Sequence, residues 1–161
     1  NSGVLIAHRY ITRCNDDSAE NHIALSVPEF THRKRSGLFA MDWQANGCNY
    51  AVGNEVNTWL HMGFSVLFNG SRQQIPLARE LFGERLRVIA LDVEPDILAQ
   101  RLRQRGREQE HDILARLRRS EHYQAQLPKY CWHLDNNRSL EKTVNSLLKY
   151  IEEQTTEYYL Q

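Results

Sequence analysis

Seven arginines crowd into residues 101 to 120, RLRQRGREQEHDILARLRRS, at positions 101, 103, 105, 107, 116, 118 and 119. A guanidinium is planar, permanently charged and carries a fork of N–H donors, which suits it to gripping phosphate oxygens two at a time. On a helix Arg101 and Arg105 share one face, Arg103 and Arg107 share another, and Arg116 and Arg119 repeat a one-face spacing. Gly106 stands between the two groups as a pivot. Charge alone also allows a blander reading, a solvated helix face whose surface partners are Glu108, Glu110 and Asp112.

Composition narrows the classes. The 161 residues fit one domain and can bury a core without disulfides or structural metal. A formal net charge of zero gives no overall pull toward nucleic acid or a membrane surface. Arginine outnumbers lysine 16 to 4, so the basic character is local and leans toward specific anion recognition. The arginine segment lacks the aromatic stacking motifs of RNA binders, which argues against a nucleic-acid partner. Cys14, Cys48 and Cys131 are odd in number and widely spaced, which predicts reduced thiols and a cytoplasmic location. Cys131 and His133 offer two metal ligands, but their alternation reads as a strand and no metal site is expected. No apolar run approaches membrane-spanning length and no signal peptide is visible, so no membrane partner is expected.

These side chains need elements to hold them. GVLIAHR and NHIALS read as strands, and Pro28 opens a short helix to about residue 35. LFAMDWQANGCNYAVG reads as a hairpin around Asn46-Gly47. Asn54 is placed to cap a helix through about His61, with Gly63 to end it. A βα rhythm follows: strand 64–70, helix from about 72 to 82, strand 86–93, and a helix from Pro95 to about Gln104. A further helix covers about 109–122, strand 131–136 follows, and Ser139 caps a last amphipathic helix. Strands without alternation, joined by helices, predict a parallel sheet covered on both faces, with an antiparallel insertion between about residues 20 and 53. A phosphate-handling protein of this shape is expected to open with a strand and a GxxxxGKS or GxxxxGKT loop. Neither occurs. The first βα unit of such a fold is therefore expected to be missing from this chain, which leaves an exposed sheet edge and the possibility of a homodimer.

Taken together, these segments resemble the guanylate-kinase-like branch of the P-loop phosphotransferases. The resemblance rests on Tyr10-Ile11-Thr12-Arg13, on Gly47-Cys48-Asn49-Tyr50, on RLRQRGR over Arg101 to Arg107, and on Arg116 eleven residues after Arg105. It implies an α/β fold with a parallel-sheet P-loop kinase-like core, a small inserted β-rich acceptor lobe (about 20–53) and a helical arginine-rich lid (about 104–120), all within one domain. RYITR followed by ENHIALS, and WQANG followed by NYAVG and NGSR, are similar to the ribose 1,5-bisphosphate phosphokinases of bacterial phosphonate metabolism. That similarity implies transfer of the ATP γ-phosphoryl group, with Mg²⁺, to a phosphorylated sugar, giving 5-phosphoribosyl 1-diphosphate. A chain without the phosphate loop is expected to turn over little or not at all.

Departures from the guanylate kinase pattern agree with a base-free acceptor. Gln44 stands where the family reads guanine with a Glu, Arg9 replaces a small Ser, Asp16 replaces the second Arg of the TRxxR motif, and Asn69 and Ser71 replace acidic residues. A carboxylate that accepts from a guanine N–H has no role when the acceptor has no base, and an added arginine suits a ligand with two phosphates. The resemblance places Arg9, Thr12, Arg13, Glu20, His22 and Tyr50 around the acceptor, with Asn69, Ser71 and Arg72 after a central strand. It places Arg101, Arg105 and Arg116 around the transferring phosphoryl group, and Asn136 and Asn137 near the adenine. Each has a structural alternative: Tyr50 as a packing residue, Asn69 or Ser71 as a helix cap, Arg13 as a surface charge. A nucleoside monophosphate kinase and a catalytically silent guanylate-kinase-like binding module are the rival functions.

Overall fold

The computed structural model describes residues 3–13, 21–106, 109–124 and 127–159, leaving aside the side chains of 119–124 and 155–159. The chain divides into two compact units, Asn1–Leu81 and Phe82–Gln161.

The first unit begins with β1 (Val4–Ala7) and β2 (Arg9–Ile11), where one strand was expected over GVLIAHR. The break at His8 has a simple cause, because the two halves pair in different sheets. β1 runs parallel to β6 (Ser65–Phe68), whereas β2 joins β3 (Ile23–Ala24), β4 (Phe39–Ala45) and β5 (Cys48–Gly53) in the order β3-β2-β5-β4. Within that sheet β2 is parallel to β3 and antiparallel to β5, so the insertion is mixed rather than purely antiparallel. The β4–β5 hairpin turns at Asn46 and Gly47, with φ of 49° and 73°, the double positive-φ geometry that an Asn-Gly pair adopts most readily.

Helix α1 (Val27–Arg35) starts at Ser26, whose hydroxyl accepts from the Glu29 amide at 3.3 Å, and Pro28 lies in its first turn. It lays Phe30 against Phe39, with ring centroids 4.8 Å apart. Helix α2 (Glu55–His61) begins after Asn54, which makes no side-chain cap. Asn54 already has helical backbone angles, and its Oδ1 accepts instead from Asn57 Nδ2 at 2.6 Å. The helix expected from residue 72 opens as a 3₁₀ turn (Arg72–Gln74) before α3 (Ile75–Phe82), with Pro76 in the first α turn. Ile11, Val52 and Val56 are almost fully buried and centre the core of this unit.

The second unit holds the parallel pair β7 (Ile89–Asp92) and β8 (Trp132–Asp135) with α4 (Pro95–Arg105), α5 (Glu110–Gln124) and α6 (Leu140–Tyr159). Pro95 supplies the first turn of α4, and Gly106 ends it at φ 68° in the left-handed cap conformation. Buried Ala99 and Leu102 of α4 meet Ile113 of α5, flanked by Leu98 and Leu117. Trp132 stacks on Tyr150 with centroids 4.0 Å apart and fastens α6 to β8. Among the described residues no helix is long and apolar enough to cross a membrane.

Candidate active site

In the first unit the β2–β5 register decides what the acceptor residues can do together. Arg9 lies opposite Val52 and Ile11 opposite Tyr50, while Trp43 is opposite Tyr50 on the other side. Directly paired residues of an antiparallel ladder point to the same face. Arg9, Tyr50 and Trp43 therefore share a face, with the Arg9 guanidinium 5.2 Å from the Tyr50 ring and Tyr50 stacked on Trp43 at 5.6 Å. Tyr50 is buried, so it both packs and carries the cation above it.

Thr12 belongs to the opposite face. Its Oγ1 accepts from the Asn49 amide at 2.8 Å, and Asn49 Oδ1 in turn accepts from Gln44 Nε2 at 2.9 Å. Gln44 is thus tied to its cross-strand neighbour, not held open as a ligand-reading amide. This face also lines an open cavity of about 560 Å³ bounded by Phe30, Thr31, Lys34, Asp42, Gln44 and Asn49 among others. Lys34 and Asp42 neutralise each other there at 2.5 Å.

Arg13 and His22 come together beyond the end of β2. His22 is buried, and its Nε2 lies 3.4 Å from the Arg13 carbonyl oxygen. Arg13 Nε is buried and has no hydrogen-bond partner among the described residues. A buried donor with nothing to donate to is unfavourable by itself, and an anion is the partner that relieves it best. Tyr10, between Arg9 and Ile11, sends its hydroxyl toward Glu55 at 3.4 Å under the Arg33 guanidinium. Burial first, and the neighbouring Glu55 carboxylate second, push the Tyr10 phenol above its ordinary pKa. Asn69 and Arg72 are exposed and Ser71 half-buried; Ser71 precedes the 3₁₀ turn without capping it through its side chain. Glu20 and Asp16 lie outside the described residues, as does Arg107.

In the second unit the loop after β8 sits at the carboxyl ends of two parallel strands, where open α/β sheets bind ligands. Asn137 Oδ1 accepts from the Glu94 amide at 2.7 Å, joining the end of β7 to the end of β8. The Asn137 amide and side-chain nitrogen donate to Asp135 Oδ1 at 2.9 and 2.8 Å. Those hydrogen bonds, led by the Asn137 backbone amide and helped by Arg138, hold the Asp135 carboxyl below its ordinary pKa. Asn136 Oδ1 is within 3.2 Å of the Thr143 hydroxyl, and the Asn136 amide donates to Asp92 O at 2.8 Å.

The arginines divide by role. Arg101 gives Nη1 to Asn136 O at 2.7 Å and Nη2 to Arg138 O at 3.2 Å, so its fork holds backbone. Arg105, in the last turn of α4, and Arg116, on α5, are exposed. Arg103 pairs through Nε and Nη2 with both oxygens of Glu110 at 3.1 and 2.5 Å, bridging α4 to α5 across Gly106 as a solvent-exposed pair. Asn49 and Asp135 escaped the sequence reading because their partners lie across a ladder or a turn, and no local motif names such partners; Glu110 was among the surface partners offered for the arginine cluster. Neither Cys48 nor Cys131 is in a disulfide.

A hairpin lobe carrying cations, parallel strands with a polar loop at their carboxyl ends, and an arginine-bearing helix pair define the guanylate kinase fold. A solved guanylate kinase from Anaplasma phagocytophilum matches 96% of this chain and 77% of its own, with a TM-score of 0.73 at 16% identity. No family model matches the chain. Curated relatives are far nearer in sequence. A Yersinia pestis protein named ribose 1,5-bisphosphate phosphokinase PhnN is 52% identical over 143 residues, covering 89% of this chain and 74% of the relative. Proteins of the same name from Pectobacterium atrosepticum and Klebsiella pneumoniae are 46% and 47% identical, over 89% and 91% of this chain and 76% of each relative. The chain belongs to the ribose 1,5-bisphosphate phosphokinase family.

Proposed function

We propose that this chain serves an ATP-dependent kinase that phosphorylates ribose 1,5-bisphosphate to 5-phosphoribosyl 1-diphosphate in phosphonate catabolism, in the cytoplasm. The observation that carries the reading is the buried Nε of Arg13, which has no hydrogen-bond partner among the described residues. An acceptor with two phosphates brings the charge this donor lacks, and Arg9 above Tyr50 adds a second cation. Gln44 has its amide nitrogen engaged with Asn49 and, unlike a Glu, brings no carboxylate to read a base.

In the reaction an oxygen of the acceptor's 1-phosphate attacks the γ-phosphorus of ATP. The new P–O bond forms as the bond to the β-phosphate oxygen breaks, and ADP leaves. Such transfers need little covalent help from protein; they need alignment and neutralisation of charge on the equatorial oxygens. Arg105 and Arg116 would supply that charge from the lid (about 104–120), Arg9, Thr12, Arg13, Glu20, His22 and Tyr50 would hold the acceptor in the lobe (about 20–53) with Asn69, Ser71 and Arg72 beside it, and Asn136 and Asn137 would border the adenine. Asn136 fits that task, because among the described residues its Nδ2 makes no hydrogen bond while its Oδ1 is engaged. Mg²⁺, when bound to the ATP phosphates, neutralises their charge. Among the described residues no group of three or more His, Cys, Asp or Glu stands together.

The sequence contains no GxxxxGKS or GxxxxGKT motif, so little turnover is expected from this chain alone. The test joins it to the phosphate-loop segment of the Yersinia pestis relative and follows ATP with ribose 1,5-bisphosphate, or with GMP, by phosphorus NMR. New diphosphate resonances with the sugar and none with GMP support the reading. Phosphorylation of GMP, or silence with both, overturns it.

A further inference from the structure

We propose that Arg101 and Asp135 are positioning residues that preform the loop 136–138 from two sides, and that Arg101 acts on this loop rather than on the transferring phosphoryl group. The proposal rests on the reading that this loop takes the nucleotide. Its basis is a set of hydrogen bonds that close on one another.

From the α4 side, Arg101 donates through Nη1 and Nη2 to the carbonyls of Asn136 and Arg138. Two carbonyls two residues apart, held at 2.7 and 3.2 Å, require the rigid fork of a guanidinium. A lysine ammonium is a compact point charge on a flexible stem and cannot reproduce that geometry. The neighbouring Leu102 is buried against Ile113, so the helix turn that carries Arg101 is itself anchored.

From the strand side, Asp135 Oδ1 accepts both from the Asn137 amide and from Asn137 Nδ2, while Asp135 Oδ2 lies 3.3 Å from Arg138 Nε. Holding Nδ2 turns the other end of the Asn137 side chain toward Glu94, whose amide it receives at 2.7 Å. The Asn136 amide meanwhile continues the ladder to Asp92 O at 2.8 Å. The loop is thus fixed by groups on β7, β8 and α4, none of which needs a ligand to be present. Preorganisation of this kind lowers the ordering cost of binding.

Hydrogen exchange of the full chain, read by NMR at the amides of Glu94, Asn136 and Asn137, tests the idea in Arg101→Lys, Arg101→Ala and Asp135→Ala. Arg101 bonds none of these three amides, so a merely local loss of its own contacts would leave them unchanged. The expected result is exchange about tenfold faster at all three in each variant, the loss expected for about one hydrogen bond, with core amides such as that of Leu134 unaffected. Unchanged exchange in Arg101→Ala, or full protection in Arg101→Lys, overturns the positioning role. An ATP titration of the unaltered chain separates the two layers. Shifts that include residues 135–138, weakened in all three variants, support both. Faster exchange in the variants without any ATP-induced shift in the unaltered chain supports the positioning and overturns the nucleotide assignment instead.

Discussion

Replacing Arg13 with Met should make the ligand-free protein more stable while removing its capacity to hold the acceptor's phosphate. Arg13 Nε is buried without a partner among the described residues, and such a donor destabilises by about 1–3 kcal/mol, more when the group is charged. The residue as a whole is half-buried, so part of the guanidinium keeps its water and the lower end, about 1 kcal/mol, is the appropriate figure. Methionine keeps an unbranched stem of similar length and adds no polar atom. The His22 contact is to the Arg13 backbone carbonyl and survives the change. For a chain of 161 residues, about 1 kcal/mol corresponds to roughly 2–4 °C in Tm. The assay is thermal melting of both proteins with and without ribose 5-phosphate. A ligand at a hundred times its Kd adds about 2.7 kcal/mol to a protein that binds it and nothing to one that does not. The expected pattern is a crossover, with Arg13→Met melting higher without ligand and lower with it. A variant that melts lower in both conditions, or that gains as much from the ligand as the unaltered chain, would refute the reasoning.

Gly106→Ala should destabilise the second unit by about 1–2 kcal/mol, because φ 68° is left-handed; urea denaturation of the Ala99–Leu102–Ile113 contact should show it. In Gly53→Ala the new Cβ would run into the Glu55 carboxylate and push it off Tyr10, so the phenol should titrate nearer its ordinary value, as read by phenolate absorbance. The sign follows from the raised Tyr10 pKa: its stabilising effect is complete below the unfolded value of 10.0 and is lost as pH rises through the folded value, so the variant's alkaline loss should be smaller and should be complete at lower pH. Asp135 is the opposite case, with a folded pKa below its ordinary 3.8; its contribution is complete above that value and is lost as pH falls through the folded one. Acid denaturation of Asp135→Asn should lack that part of the acid limb.

Local patterns made much of the architecture legible before any coordinates. The Asn46-Gly47 turn, the Pro28 and Pro95 helix starts and the Gly106 stop each follow from the backbone preference of one or two residues, and the structure has all of them. Runs such as SVLF and IALD lack alternation and both pair in parallel, but in two separate two-stranded sheets, where Ile6 beside SVLF and Leu91 of IALD stay exposed instead of being covered on both faces. Asn54 shows the limit of such reading. Its residue type fits a cap, yet its backbone is already helical and its side chain turns to Asn57.

The sequence by itself determined which side chains were available: an excess of arginine over lysine, a glycine pivot between arginine groups, and short motifs shared with a kinase family. Those are properties of residue type and spacing along one chain. The tertiary structure alone decided how they are used. Ladder register put Arg9 with Tyr50 on one face and Thr12 with Gln44 and Asn49 on the other. Chain reversal at Gly106 selected Arg103 as the exposed partner of Glu110, and the meeting of α4 with the end of β8 gave the Arg101 fork to two carbonyls. Hydrogen-bond partners are set by which backbone segments the core brings within about 3 Å of each other. That proximity depends on the packing of residues far apart in sequence, and no local pattern encodes it.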